Sequence, residues 1–217
     1  MTRITRRQTL AALLAFPKFV NGQEQWFPIA GDDGKPIPNM RHPVELTSEV
    51  DELEGIVWAG SSAPDVTVVE FFDYQCGYCK TAADDVRQLL KADPKVRFVF
   101  KEYPILGPNS VVAARAALAA RDQGKYPEFH HAMMETKGQL DQGAIERVAR
   151  SVGLDVDRLK RDMAKPEIDQ ALRRNRQLGD ALNIQGTPGF IVGNQIVPGA
   201  VDVNKLKELV AEARSKS

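Results

Sequence analysis

A chain of 217 residues and 24.0 kDa, 43% hydrophobic and 27% charged, has the composition of a globular protein of one domain or a closely coupled pair. Its 16 glycines and 13 prolines fall near average usage, and no low-complexity tract or repeat of solenoid period interrupts it, which excludes disordered, collagen-like and repeat-array architectures. The 29 basic and 29 acidic residues cancel, but unevenly: Arg3, Arg6, Arg7 and Lys18 all precede the first carboxylate, Glu24, so loss of residues 1–22 would leave 25 basic against 29 acidic side chains, a net of −4. No basic stripe is then left to neutralise phosphates, and no nucleic-acid partner is expected.

The first 22 residues have a basic start, an apolar middle over Leu10–Phe16 and a small-residue exit at Val20-Asn21-Gly22, the layout of a cleaved signal peptide. Arg6-Arg7 is similar to a twin-arginine export signal, and general export remains open. The seven-residue apolar run is far short of the about 20 residues that cross a hydrocarbon core of roughly 30 Å, so no stable membrane insertion is expected. An amphipathic first helix is the competing reading. Export, with a periplasmic location and an oxidising compartment, is the expectation.

Residues 23–60 hold Trp26, Phe27, Pro28, Gly31, Gly34, Pro36, Pro38 and Pro43, which suggests an extended or hairpin segment, followed by a short helix from Thr47. This N-terminal extension is expected to cap a sheet rather than to assemble subunits, since 47–54 is too short for a coiled coil.

Val66–Phe72 is β-branched and aromatic and reads as a buried central strand. It is followed at once by Cys76-Gly77-Tyr78-Cys79 and then by Ala82, Ala83, Val86, Leu89 and Leu90 at helical spacing. These are the only two cysteines. A bridge between residues three apart closes too small a loop to stabilise the fold appreciably. A zinc site would draw its remaining ligands from His42, His130 and His131, of which the last two are adjacent and point apart. An active thiol–disulfide pair is the better account. At a helix N-terminus unpaired N–H groups and the dipole favour thiolate, so Cys76 is expected to be the exposed nucleophile. Cys79, one turn further in, is expected to resolve the mixed disulfide from beneath.

Glu70 stands within the apolar strand, on the face of Val68 and Phe72. Buried, such a carboxyl titrates higher than usual and exchanges protons near neutrality, which makes it the candidate acid–base partner of Cys79 through water. An edge-strand glutamate reaching solvent is the alternative.

Further along, Val96–Tyr103 reads as a strand, and about 80 residues then show only helical patterns. These run through Val111–Ala120; Phe129, Ala132 and Met133; Ile145, Val148, Ala149 and Val152; and Ile168, Ala171, Leu172, Asn175, Leu178 and Leu182. Asp141 and Asp155 suit N-caps, and Pro166 suits a first helical turn. Met133 and Met134 read as core, and His130-His131 as one core-facing and one solvent-facing side chain. Gly193-Asn194 between Phe190–Val192 and Gln195–Val197 marks a hairpin, and Asp202 opens a last helix with Val203, Leu206, Leu209 and Val210 inward. Ahead of that hairpin, Thr187-Pro188 taken alone reads as a trans turn.

The two segments VVEFFDYQCGYCK (68–80) and GTPGFIVGNQIVPGA (186–200) together resemble the DsbA-like thiol–disulfide oxidoreductases of the thioredoxin superfamily, over roughly residues 60–215. The resemblance implies an α/β thioredoxin fold with an all-helical insertion between its βαβ and ββα halves. The domains implied are residues 61–104 with 183–217 as the thioredoxin-like part and 105–182 as the insertion. It implies that Pro188 is a cis-proline packed against the cysteine pair. Thr187 and Pro188, with Gly77 and Tyr78 between the cysteines, are then the candidate substrate-binding residues, and Cys76, Cys79 and Glu70 the candidate catalytic ones. No metal and no cofactor is implied, because the dithiol is its own two-electron carrier.

The reaction expected is exchange of the Cys76–Cys79 pair with cysteines of unfolded or partly folded exported proteins, in the disulfide-forming direction, with a membrane redox partner to restore the pair. Gly77-Tyr78 is also similar to the dipeptide of disulfide isomerases, so an isomerase or reductase kept reduced by a membrane partner is the alternative. A peptide-binding chaperone with an incidental dithiol is the alternative of another class.

Overall fold

The computed structural model describes residues 26–30, 36–43 and 57–216. Its sheet has seven strands in the order β2-β1-β7-β6-β4-β5-β3, namely β1 (Trp26–Ala30), β2 (Pro36–Pro43), β3 (Val57–Gly60), β4 (Val66–Phe72), β5 (Val96–Glu102), β6 (Gly189–Val192) and β7 (Gln195–Pro198). β4 and β5 are parallel and are joined by helix α1 (Gly77–Ala92); β6 and β7 form an antiparallel hairpin that pairs antiparallel with β4 and leads to the last helix, α7 (Val203–Ser215). Between β5 and β6 lie five helices: α2 (Pro108–Arg121), α3 (Tyr126–Glu135), α4 (Gln142–Ser151), α5 (Val156–Asp162) and α6 (Pro166–Ala181). This is the thioredoxin-like α/β fold with a helical insertion that the paired motifs imply.

The central strands β4 and β5 are mostly apolar because both faces are covered, as parallel strands require, with Glu70 in β4 and Arg97, Lys101 and Glu102 in β5 as buried exceptions. Every residue of β5 is buried, and all of β4 except Thr67. One face carries Val68 and Phe72 of β4 and Phe98 and Phe100 of β5 under α1, α7 and the insertion. The other carries Val69, Phe71, Val99, Tyr103 and Ile191 under Leu182 and Ile184, which follow α6. Helix α1 turns Cys79, Ala82, Val86 and Leu89 inward at spacings of three and four. Asp141, Asp155 and Asp202 cap α4, α5 and α7 through side-chain oxygens that accept from Ala144, Arg158 and Lys205 N–H, as their positions predict.

The N-terminal pair β1–β2 is antiparallel, and β1 joins the sheet beside β7 through Ala30 and Gln195. Val57–Gly60, read from sequence as the end of the extension, forms β3 and pairs antiparallel with β5 at the opposite edge. The expected signal peptide, 1–22, and the short helix expected from Thr47 lie outside the described residues. No helix among the described residues is long and apolar enough to cross a membrane.

Candidate active site

The β4 strand ends at Phe72, and the chain turns through Asp73, Tyr74 and Gln75 into α1. The turn is built on Asp73, which is buried: its Oδ1 accepts from Gln75 N–H at 2.8 Å, and its Oδ2 from the Ile105 and Leu106 N–H groups at 2.8 and 2.9 Å. Its backbone carbonyl accepts from Cys76 N–H at 3.0 Å. Cys76 is therefore the N-cap residue of α1, with extended backbone, and Gly77 and Tyr78 occupy its first helical positions.

Both cysteines are thiols here. Cys79 has no exposure, and burial, its largest influence, pushes its thiol up; Glu70 and Cys76 act in the same direction. Cys76 differs from the exposed nucleophile expected: it retains only 7% exposure, because its sulfur is covered by the loop before β6. Its Sγ–H donates to the Thr187 carbonyl at 3.2 Å, and the Thr187–Pro188 bond is cis. The trans turn that Thr187-Pro188 suggests in isolation is thus not adopted. Tyr78, between the cysteines, is 72% exposed, and Leu106 beyond the Asp73 loop is 54% exposed; these are the two large apolar side chains left open to solvent among the described residues.

Glu70 lies at the centre of the sheet, opposite Phe100 of β5 on one side and Phe190 of β6 on the other. The edge-strand alternative is overturned, since β4 has a neighbour on each side. At 2% exposure, burial pushes its carboxyl up to about 8.

A second buried carboxyl, Glu102, shares this face and has no counterpart in the sequence reading. Its Oε1 accepts from Tyr74 Oη–H at 3.2 Å and from Tyr126 Oη–H at 3.0 Å, while Oε2 is buried without a protein partner. Burial drives Glu102 well above the usual carboxylate range despite those two hydroxyls. Tyr74 Oη also lies 2.9 Å from Nδ1 of His130, which burial and then His131 pull down to about 3, so the ring is neutral. His130 packs edge-on to Phe72 at 4.9 Å and stacks on Tyr126 at 5.6 Å between centroids. The pair reads as expected: His130 is 8% exposed, and the side chain of His131 is 42% exposed. Alternation along β5 gives Glu102 an inward face like that of Glu70. The tyrosines that meet it come from the turn before α1 and from α3, and no local pattern links those three segments.

The insertion is fastened to the dithiol helix by Lys80 Nζ–H donating to the Thr136 carbonyl at 2.5 Å and by Leu140 N–H donating to Gln75 Oε1 at 3.4 Å.

A thioredoxin sheet, a helical layer inserted after β5, and two cysteines at the head of α1 against a cis-proline define a thioredoxin-superfamily protein of the dithiol type. Residues 67–211 match the model of the DSBA-like thioredoxin domain, and the chain belongs to that family. A thioredoxin-like oxidoreductase from Silicibacter pomeroyi DSS-3 superposes with a TM-score of 0.75 and 45% identity over 77% of this chain and 97% of that one. The thiol-disulfide exchange protein alpha-DsbA2 of Wolbachia pipientis gives 0.70 and 34% over 75% and 89%. In sequence, disulfide bond formation protein D of Bacillus subtilis is 26% identical over 73% of this chain and 77% of its own length. The chain spans about a quarter of the length of other relatives that it matches, proteins named Na(+)/H(+) antiporter NhaA: 31% identity over 172 residues, 78% of this chain and 26% of the Salinispora arenicola protein.

Proposed function

We propose that the protein is an exported thiol:disulfide oxidoreductase that forms disulfides in unfolded or partly folded exported proteins. The contact that carries this reading is the 3.2 Å approach of Cys76 Sγ to the Thr187 carbonyl, which sets one sulfur of the pair beside backbone able to hold an extended client segment.

The step balances without a cofactor. A client thiolate attacks Cys76 in the Cys76–Cys79 disulfide, the Cys76–Cys79 bond breaks, and Cys79 leaves as thiolate. Glu70, which in its buried setting titrates near neutrality, supplies the proton to Cys79 through water. A second client thiolate then attacks the client sulfur of the mixed disulfide, and Cys76 leaves. The client has passed two electrons to the pair; its two thiol protons went to solvent when the attacking thiolates formed, Glu70 regains its proton from solvent, and a membrane redox partner that accepts the two electrons restores the disulfide. Thr187 and Pro188 line one side of the client path, and Gly77 and exposed Tyr78 the other.

The Gly77-Tyr78 dipeptide favours a second reading, an isomerase or reductase in which a membrane partner keeps the pair reduced. Equilibration of the purified protein with glutathione separates the two: a potential near about −120 mV supports the oxidase, and one at about −180 mV or lower supports the isomerase or reductase. Export is tested by fractionating bacteria that express the full chain and reading the N-terminus of the periplasmic product; retention of residues 1–22 in a cytoplasmic product overturns it.

A further inference from the structure

Glu70 is buried and accepts no hydrogen bond from any described residue, yet its oxygens are not among the sealed, unpartnered side-chain atoms, which are Glu102 Oε2 and Ser110 Oγ. The space it borders is a cavity of about 160 Å³ between β3, α1 and α3. Phe100 and Glu70 line its sheet side, Ala83 and Leu90 its α1 side and His130 its α3 side, and the more exposed Arg87 and His131 stand where it opens. The side chains of those last two are 49% and 42% exposed, and Arg87 Nη1 lies 3.5 Å from His131 Nε2. Arg87 Nη2 also lies 2.6 Å from Asp84 Oδ1, and His131 Nε2 lies 3.2 Å from Glu135 Oε1, so two polar side chains flank the mouth. Among the described residues, none of Cys76, Tyr78, Thr187 or Pro188 lines it.

The dimensions and chemistry suit water. A buried water needs two to four polar partners and far less room than this cavity has. The wall offers the Glu70 carboxyl, and from His130 only Nε2 remains, since Nδ1 is engaged by Tyr74 Oη. The mouth offers Arg87 and His131. The rest of the lining, Ala59, Ala83, Val86, Leu90, Phe100 and Pro127, is apolar and confines the water to that line of polar groups.

We propose that this cavity is the water site of Glu70: the carboxyl meets solvent here, along α1 beyond the dithiol, and exchanges its proton past Arg87 and His131 rather than across the surface where a client docks. The gain is separation. A client seated over Cys76 leaves the proton route open, so thiol exchange and proton exchange proceed at different surfaces. The proposal rests on the reading of Glu70 as the proton partner of Cys79.

The test changes the volume of the cavity and follows Glu70 itself. In the reduced full chain with ¹³C-carboxyl glutamate, the Glu70 signal is identified by its loss in Glu70→Gln and titrated in Ala83→Leu and Leu90→Ala. Leucine at 83 displaces water, and the carboxylate loses hydration, so the midpoint rises by about half a pH unit or more; alanine at 90 admits water, and the midpoint falls by a similar amount. A purely structural perturbation gives no such opposition of sign. The proposal is overturned by a midpoint that stays fixed in the variants or moves the same way in both; should Ala83→Leu not fold, Leu90→Ala decides alone, by a fall or by its absence. Resolution of a Cys76–glutathione mixed disulfide, measured across pH in parallel, keeps the two ideas apart. Opposite midpoint shifts with an unchanged resolution profile would retain the water site and remove the role of Glu70 toward Cys79.

Discussion

Gly179 lies against the ring of Tyr103 so closely that a Cβ on it would stand 2.5 Å from Cε2 and 2.8 Å from Cζ. Tyr103 cannot yield freely, because its hydroxyl donates to Asp180 Oδ1 at 3.0 Å and approaches the Ile184 carbonyl at 3.2 Å, and the Arg176 guanidinium lies 5.4 Å from its ring centroid. Gly179→Ala is expected to destabilise by about 1–3 kcal/mol through overpacking, read from urea denaturation. In a Tyr103→Leu background the same change is expected to be close to neutral, and an additive double mutant would show that the ring is not the obstacle.

The sulfurs differ in reach, and the variants should differ accordingly. Cys79 has no exposure, while Cys76 keeps 7% and touches the proline loop. Offered a peptide whose cysteine is capped as a mixed disulfide with glutathione, Cys79→Ala is expected to accumulate a Cys76–peptide disulfide, visible on non-reducing gels: the Cys76 thiolate attacks the peptide sulfur, glutathione leaves as thiolate, and no Cys79 remains to resolve the product. Cys76→Ser is expected to lose exchange entirely and to trap nothing. Full activity in Cys76→Ser with peptide binding retained would favour a chaperone.

Glu70 makes stability fall with rising pH. Its folded-state value, about 8, lies above the ordinary 4.5, so between those values the folded state holds a proton that the unfolded chain has released. The stabilisation is complete below about 4.5 and is lost as pH climbs through 8, with an upper bound of roughly 5 kcal/mol from that 3.5-unit gap. Under reducing conditions Glu70→Gln is expected to lose less stability than the parent between pH 5 and pH 9 in urea titrations. Parallel curves for the two proteins would contradict the burial of this carboxyl.

Asp73 serves three backbone N–H groups from two loops. Asp73→Ala leaves Gln75, Ile105 and Leu106 without that acceptor and is expected to cost about 2–4 kcal/mol, with faster alkylation of Cys76 as its loop loosens. Asp73→Asn, which retains one acceptor oxygen, should fall between alanine and the parent in both measurements.

Much of this arrangement is legible in the sequence because it is local or periodic. A β-branched run ending in two cysteines one turn apart, followed by apolar residues at helical spacing, defines β4, the dithiol and α1. Glu70 stands out because it interrupts that run. The aspartate caps are visible for the same reason, each preceding its own helix. β3 is not visible: four residues, Val57–Gly60, are too short to carry an alternation, and only pairing with β5 makes them a strand. Glu102, Tyr74, Tyr126 and His130 escape for a different reason. Each is unremarkable in its own element, and what joins them is the packing of α3 on the end of β5. The near-complete cover over Cys76 belongs to the same kind, since it is made by Thr187, 111 residues away.

The Asp73 carboxylate grips the turn that delivers the dithiol with one oxygen and the first residues leading into the helical layer with the other. It is a pivot shared by both halves of the molecule. A shift of the chain at Ile105 and Leu106 therefore has a path of two hydrogen bonds through one side chain to the turn that carries Cys76.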